Sequence, residues 1–121
     1  MHILLVDDAP DQRTTLSELL RKRGHFVQDA PDGLQALLYL DEHVDVVISD
    51  IQMPRLDGVG LLRTIRERFS NLPVILMTGH GTLDTAVEAL RNQAFDYLSK
   101  PVVLEELLSC LDRIERRGDN I

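Results

Sequence analysis

In this 121-residue chain, Asp7-Asp8, Asp50, Thr78 and Lys100 each stand at or just past the end of a short apolar run. If those runs lie side by side in a parallel sheet, their carboxyl ends share one edge, and ligands of such sheets bind outside it. Three carboxylates gathered there repel one another unless something positive sits among them. Oxygen-only donors describe a hard-cation site, and Mg²⁺ needs only a couple of carboxylates plus waters. A carboxylate beside such a metal can attack phosphorus, since aspartyl phosphate is an established covalent intermediate. The metal and a lysine ammonium would then neutralise the phosphoryl oxygens, with the Thr78 hydroxyl donating to one of them. Lysine is scarce here: the chain has 11 Arg but only Lys22 and Lys100. A lysine kept at this edge is therefore a candidate for the chemistry.

The elements that must position these residues are legible in the apolar spacing. Runs 3–6, 46–48 and 74–77 are short, β-branched-rich and unbroken, as in strands covered on both faces. Phe26-Val27 and residues 95–98 are weaker runs that fit the same rhythm. Between them lie five helical stripes. These are Leu16, Leu19 and Leu20; Leu34, Leu37 and Leu38; Leu61, Leu62, Ile65 and Phe69; Leu83, Ala86, Val87 and Leu90; and Leu104, Leu107, Leu108, Leu111 and Ile114. Pro10 suits a first helical residue, and Gly24 suits a stop after Arg21-Lys22-Arg23. Asp32 can cap the second helix, with Gln35 three residues on as in a capping box. Pro73 stands before the fourth strand, where a missing N–H is tolerated. Five β-α units with short connections predict one doubly wound α/β domain over 1–117, with 118–121 as its exit or the start of a linker.

Composition removes several functions. Thirteen basic against 20 acidic residues leave a net charge of −7, whereas gripping nucleic acid needs clustered cations. No direct nucleic-acid binding by this segment is expected. The longest apolar run, residues 36–40, is far short of the roughly 20 residues of a membrane helix. Nothing resembles a secretion signal, and a lone Cys110 excludes an internal disulfide, so the expectation is a cytoplasmic protein.

Together Asp7-Asp8, Asp50-Ile51-Gln52-Met53-Pro54, Asp57-Gly58, Thr78-Gly79 and Lys100-Pro101 resemble the receiver domain of bacterial two-component response regulators. The stretches Met77-Thr78-Gly79-His80-Gly81 and Ala94-Phe95-Asp96-Tyr97-Leu98 are most similar to receivers that head enhancer-binding transcription activators. The resemblance implies a flavodoxin-like (βα)₅ fold with strand order 2-1-3-4-5. It implies that Asp50 accepts a phosphoryl group from a sensor histidine kinase. Asp8 and Asp50 would ligate Mg²⁺ directly, Asp7 through water, with the Gln52 backbone carbonyl completing the shell. Lys100 would be the phosphate-binding cation, Thr78 and Tyr97 the switch pair, and Gln52 and His80 would tune the aspartyl-phosphate lifetime. The domain would assist its own phosphotransfer and dephosphorylation without being an enzyme. The Lys100-Pro101 peptide is typically cis in this family. The output stays open: a stand-alone regulator, or a receiver joined to ATPase and DNA-binding domains, with phosphorylation-dependent homodimerisation as one route.

Two positions depart from the family pattern. Gln93 stands where receivers carry glycine, so Asn92 or a strained Gln93 must turn the chain. Val103 stands where an aspartate commonly caps the fifth helix, and it offers no side-chain acceptor. Simpler readings compete residue by residue. Asp7-Asp8 would serve as helix caps, Met53-Pro54 and Asp57-Gly58 as a turn, and Tyr97 as edge packing with its hydroxyl in water. Phe26, Phe69 and Phe95 read as core, and Cys110 as an inert small hydrophobe. His2, His25, His43 and His80 lack metal-ligand spacing. A haloacid-dehalogenase-type phosphatase wants a second acid where Gln52 stands, and a flavin binder wants a hydroxyl- and Gly-rich first loop in place of Asp7-Asp8-Ala9-Pro10-Asp11. A phosphorylation-independent interaction module with a receiver fold would have lost part of the acidic set, which is complete here.

Overall fold

In the computed structural model, which describes residues 1–119, strand and helix alternate five times. The elements are β1 (His2–Val6), α1 (Pro10–Lys22), β2 (Phe26–Ala30), α2 (Gly33–Tyr39) and β3 (Val46–Asp50). They continue as α3 (Gly58–Arg68), β4 (Val74–Thr78), α4 (Leu83–Arg91), β5 (Asp96–Ser99) and α5 (Leu104–Asp119). All strands are parallel, in the order β2-β1-β3-β4-β5. Of the expected exit over 118–121, α5 includes Gly118 and Asp119, and Asn120 and Ile121 lie outside the described residues.

Every residue of β3 and β4 is buried, which is why both read as unbroken apolar runs rather than alternating ones. Successive side chains still go to opposite faces. Leu4, Val47 and Leu76 meet Leu61, Leu62 and Ile65 of α3 on one face. Ile3, Leu5, Ile48, Ile75 and Met77 meet Leu20 of α1 and Leu107, Leu111 and Ile114 of α5 on the other. Each fully buried Leu or Ile contributes about 1.5–3 kcal/mol.

The stripes of α3 and α5 bury as the spacing predicts, but those of α2 and α4 do so only in part, with Leu37 packed half-buried against the core and Ala86 and Val87 half-buried. Leu34 and Leu38 of α2 and Leu83 and Leu90 of α4 are exposed, and Gly33, Ala36 and Ala89 face the core instead. Small residues let these helices sit close: a Cβ on Gly33 would lie 2.4 Å from the Leu56 carbonyl oxygen. Phe26 is also corrected. It is 63% exposed, because β2 is an edge strand paired only with β1, and its ring meets His2 edge-on. Phe69 and Phe95 are half-buried against the two cores.

Punctuation mostly holds. Pro10 opens α1 and Gly24 adopts φ +90° just past its end. Asp32 accepts the Gln35 N–H at 2.8 Å, but the Gln35 side chain donates to the Tyr39 hydroxyl, so the reciprocal half of that box does not form. A complete box forms at α4, between Thr82 and Thr85. Of the two candidates for the turn after α4, Gln93 takes the left-handed conformation, with φ 62°. The Arg66 guanidinium donates to the Asn92 carbonyl at 3.1 Å and the Gln93 carbonyl at 2.9 Å, which holds that turn in place. Val103 supplies only its carbonyl to α5, accepting from Glu106 and Leu107, while Glu105 and Glu106 set negative charge at the helix start.

Candidate functional site

Because the sheet is parallel, Asp7 just past β1, Asp50 at the end of β3, Thr78 at the end of β4 and Lys100 just past β5 all reach the same edge. Asp7 and Asp50 are buried, at 3% and 7% exposure, while Asp8 faces solvent. One carboxylate oxygen from each of Asp7, Asp8 and Asp50 lies within 4.8 Å of the others. Among the described residues this is the one such gathering of potential metal-ligating side chains.

Lys100 sits inside the acidic group. Its Nζ donates to Asp50 Oδ2 at 2.9 Å and to Asp7 Oδ2 at 3.0 Å. Burial alone would lower the lysine's pKa, but the hydrogen bonds to Asp50 and Asp7 outweigh it and raise the value. The Lys100-Pro101 peptide is cis. Asp7 is oriented by accepting the Ala9 N–H at 2.9 Å on Oδ1, and Asp50 by the Gln52 N–H at 3.3 Å. Asp7-Asp8 do not cap α1: the residue there is Ala9, without a side-chain bond. Asp57-Gly58 is likewise a helix start rather than a plain turn, since Asp57 Oδ1 accepts the Gly60 N–H at 2.8 Å. Gly58 is there for space: a Cβ would stand 2.4 Å from the Asp50 carbonyl oxygen.

Thr78 is buried, and its Oγ1 accepts the His80 N–H at 3.1 Å. The Lys100 N–H donates to the Thr78 carbonyl at 2.8 Å, continuing the β4–β5 ladder to the lysine itself. Tyr97 is half-buried, and its hydroxyl is not left to water: it bonds Thr85 Oγ1 at 2.9 Å, inside the capping box of α4. Gly81 lies between the two hydroxyl residues, for a Cβ there would be 2.9 Å from the Tyr97 hydroxyl and 3.2 Å from Thr78 Cγ2. Gln52 and His80 are exposed, each two residues beyond Asp50 or Thr78.

Two arrangements were not visible in the sequence. Gln12 Oε1 accepts from Lys100 Nζ at 3.0 Å, and a polar residue in a helix's first turn carries no signal of that. Asp96 Oδ2 accepts from Cys110 Sγ at 3.1 Å and from Arg113 at 2.7 Å, bringing β5 and α5 together. Burial, with the Asp96 hydrogen bond second, pushes the Cys110 thiol up to about 11, which agrees with an inert cysteine.

The acidic group suits a hard cation. Octahedral Mg²⁺ at about 2.1 Å from its ligands spaces their oxygens roughly 3 to 4 Å apart, close to the 4.8 Å limit seen among Asp7, Asp8 and Asp50. All three donors are oxygen, with no soft ligand beside them.

Comparison with known proteins follows the same outline. Residues 3–112 match the family described as response regulator receiver domain. The chain is 46% identical over 106 residues to the regulatory protein AtoC of Escherichia coli K12, covering 87% of this chain and 23% of that one. It is 41% identical over 115 residues to the DNA-binding transcriptional regulator NtrC of Proteus hauseri, covering 93% and 24%. The chain thus spans about a quarter of the length of these curated relatives. A crystal structure of a response regulator receiver domain protein from Clostridium thermocellum superposes with a TM-score of 0.91 at 35% identity, covering 98% of this chain and 96% of that one.

Proposed function

Because the chain belongs to the response regulator receiver domain family, we propose that Asp50 is its phosphoacceptor and a sensor histidine kinase its donor. One observation carries this reading: Asp50 ends the central strand, buried, with Lys100 at 2.9 Å and two further aspartates within 4.8 Å. An Asp50 carboxylate oxygen forms the new bond to phosphorus as the P–N bond of the donor phosphohistidine breaks. The imidazole nitrogen keeps that electron pair and takes a proton from solvent. Lys100 follows the charge onto the phosphoryl oxygens. Asp8 and Asp50 would hold Mg²⁺ directly and Asp7 through water, with the Gln52 carbonyl completing the shell. Bound there, the ion would supply positive charge against the phosphoryl oxygens.

Thr78 Oγ1 only accepts in its bond with the His80 N–H, so its own proton can be donated to the new anion, and the hydroxyl turns to a phosphoryl oxygen. Tyr97 then leaves Thr85 and rotates inward, which removes one tie on the cap of α4 and alters the surface of α4 and β5. Gln52 and His80 flank the approach of hydrolytic water and tune the lifetime of the acyl phosphate. The domain is a reactant that assists its own turnover rather than an enzyme acting on a separate substrate.

The receiver unit takes in residues 1–117, and α5 carries it on through Asp119. The relatives named as transcriptional regulators support an output in transcription; the route we propose for it is through ATPase and DNA-binding domains outside this chain and a homodimer formed on phosphorylation. Family membership supports a cytoplasmic site. A phosphorylation-independent interaction module is not favoured, since every member of the acidic pocket is present.

The test is phosphate incorporation from a small phosphodonor, read by intact mass. Wild type gains one phosphoryl group with Mg²⁺ and none with a chelator, and Asp50→Asn gains none. Incorporation into Asp50→Asn at the wild-type rate would sink the assignment.

A further inference from the structure

A lysine ammonium has three N–H donors, and Lys100 has three acceptors around it. Two are Asp50 Oδ2 at 2.9 Å and Asp7 Oδ2 at 3.0 Å; the third is Gln12 Oε1 at 3.0 Å. Because the ammonium only donates, the amide must present its oxygen rather than its nitrogen, which fixes the orientation of the Gln12 side chain. Gln12 is the third residue of α1, in its first turn two residues after Pro10, on backbone already held by the Arg13 N–H to Ala9 carbonyl bond at 2.9 Å. Its reach toward Lys100 therefore starts from a rigid element.

The three acceptors differ in what a reaction at Asp50 does to them. The Asp50 oxygens change when one becomes bonded to phosphorus. The Asp7 carboxylate shares its charge with any cation bound beside it. The Gln12 amide is neutral and outside the acidic group, so its bond to the ammonium survives both events. We infer that Gln12 is a positioning residue for Lys100: its side-chain oxygen keeps the ammonium aimed over Asp50 while the negative charge beneath it is rearranged. The inference rests on the proposed role of Asp50. A long lysine stem has many rotamers, and a third fixed acceptor removes most of them before phosphate arrives. Gln12 is exposed, so water competes for the same donor and the effect is moderate.

Two measurements test this on the whole chain. The sequence holds only two lysines, so ¹⁵N-lysine labelling gives two ammonium signals, and Lys100→Met identifies the second. In metal-free wild type the Lys100 protons exchange with solvent more slowly than those of exposed Lys22. Gln12→Met keeps the side-chain length without an acceptor and speeds the Lys100 exchange by roughly threefold or more. Unchanged exchange overturns the inference.

With Mg²⁺ and a small phosphodonor, Gln12→Met slows phosphorylation by about fivefold, as expected for one solvent-exposed hydrogen bond to a charged group. In a Lys100→Met background the same substitution changes the residual rate less than about twofold, since the group it acts through is gone. Equal slowing in both backgrounds assigns Gln12 to helix structure and overturns the positioning role. So does wild-type speed in the single variant. A wild type that takes no phosphate at all overturns the reading of Asp50 itself, and the inference with it.

Discussion

Two of the places where this molecule joins carboxylates to a cation are built on opposite balances. At the carboxyl edge of the sheet, Asp7, Asp8 and Asp50 surround a single ammonium, Lys100. Between β5 and α5, one carboxylate, Asp96, faces one guanidinium, Arg113, at 2.7 Å, with the Cys110 thiol as a third member. The second group is matched in charge and spans packed elements. The first keeps a surplus of negative charge at a mouth open to solvent, beside a groove of about 710 Å³ lined by Leu16, Leu19 and Val102. An ion pair by itself is an ordinary structural device. What marks a site is uncompensated charge held in place by rigid strand ends, because only that leaves work for a ligand to do.

The largest expected difference follows from removing each cation. Lys100→Met leaves Asp7 and Asp50 buried without their partner, and losing one member of a buried pair costs about 3 kcal/mol. Millimolar Mg²⁺ should restore part of that loss. Arg113→Met should cost little, since that side chain is 52% exposed, and Mg²⁺ should not change its cost. Urea unfolding of both variants with and without Mg²⁺ makes the comparison. If both lose equal stability and respond alike to the ion, the two groups do not differ in kind.

The surplus itself can be removed. Two carboxylates about 5 Å apart repel by roughly 3 kcal/mol at an effective dielectric near 20, before relaxation and counter-ions reduce it. Asp8 is the exposed member without a bond to Lys100, so Asp8→Ala should raise the metal-free melting temperature. Asp50→Asn should raise it less, because it also weakens the bond to Lys100. Mg²⁺ at ten times its Kd stabilises wild type by about 1.4 kcal/mol, and either variant should gain less. Thermal melts of the three proteins with and without the ion check this; a wild type indifferent to Mg²⁺ removes the metal from the site.

The two groups should also fail at opposite ends of the pH scale. Burial would raise the Asp96 pKa, but the hydrogen bonds from Cys110, Arg113 and the Tyr97 N–H outweigh it and hold the value below the usual carboxylate range. Its contribution is therefore present above the unfolded value of about 3.9 and lost as pH falls through the lower folded value. The Lys100 value is raised, so its contribution is present below the unfolded value of about 10.4 and lost as pH climbs through the folded one. Metal-free stability curves of Arg113→Met and Lys100→Met should flatten at the acid and alkaline limbs respectively. A single limb affected by both variants would contradict the separation.

The smallest effect concerns reactivity. Cys110 is 1% exposed and its thiol is pushed up to about 11, so native protein at pH 7 should react with a thiol reagent far more slowly than the unfolded chain. Labelling at the rate of free cysteine would mean that β5 and α5 separate readily at this group.

Much of this was legible in order along the chain, and the failures share a cause. Runs 46–48 and 74–77 announced β3 and β4, because a strand buried on both faces leaves no polar alternation to misread. The stripes of α2 and α4 misled, because leucine spacing says a helix has an apolar side but not that this side is covered. There Gly33, Ala36 and Ala89 took buried positions, Gly33 because the Leu56 backbone leaves no room for a Cβ. Phe26 misled for a related reason: burial at β2 depends on how many neighbours a strand has, which a local window does not contain.

Order and residue type along the chain determined that five β-α units would form and that Asp7, Asp8, Asp50, Thr78 and Lys100 would share one edge. That follows from period and punctuation, which act over a few residues. Tertiary structure alone decided that Lys100 reaches both Asp7 and Asp50 and also Gln12, that the Tyr97 hydroxyl rests on Thr85 inside the cap of α4, and that Asp96, Cys110 and Arg113 form a second group. Those contacts join residues from 12 to 93 positions apart. A hydrogen bond is set by distances of about 3 Å, and separation along the chain says nothing about distance across a sheet until the strands have an order and a register.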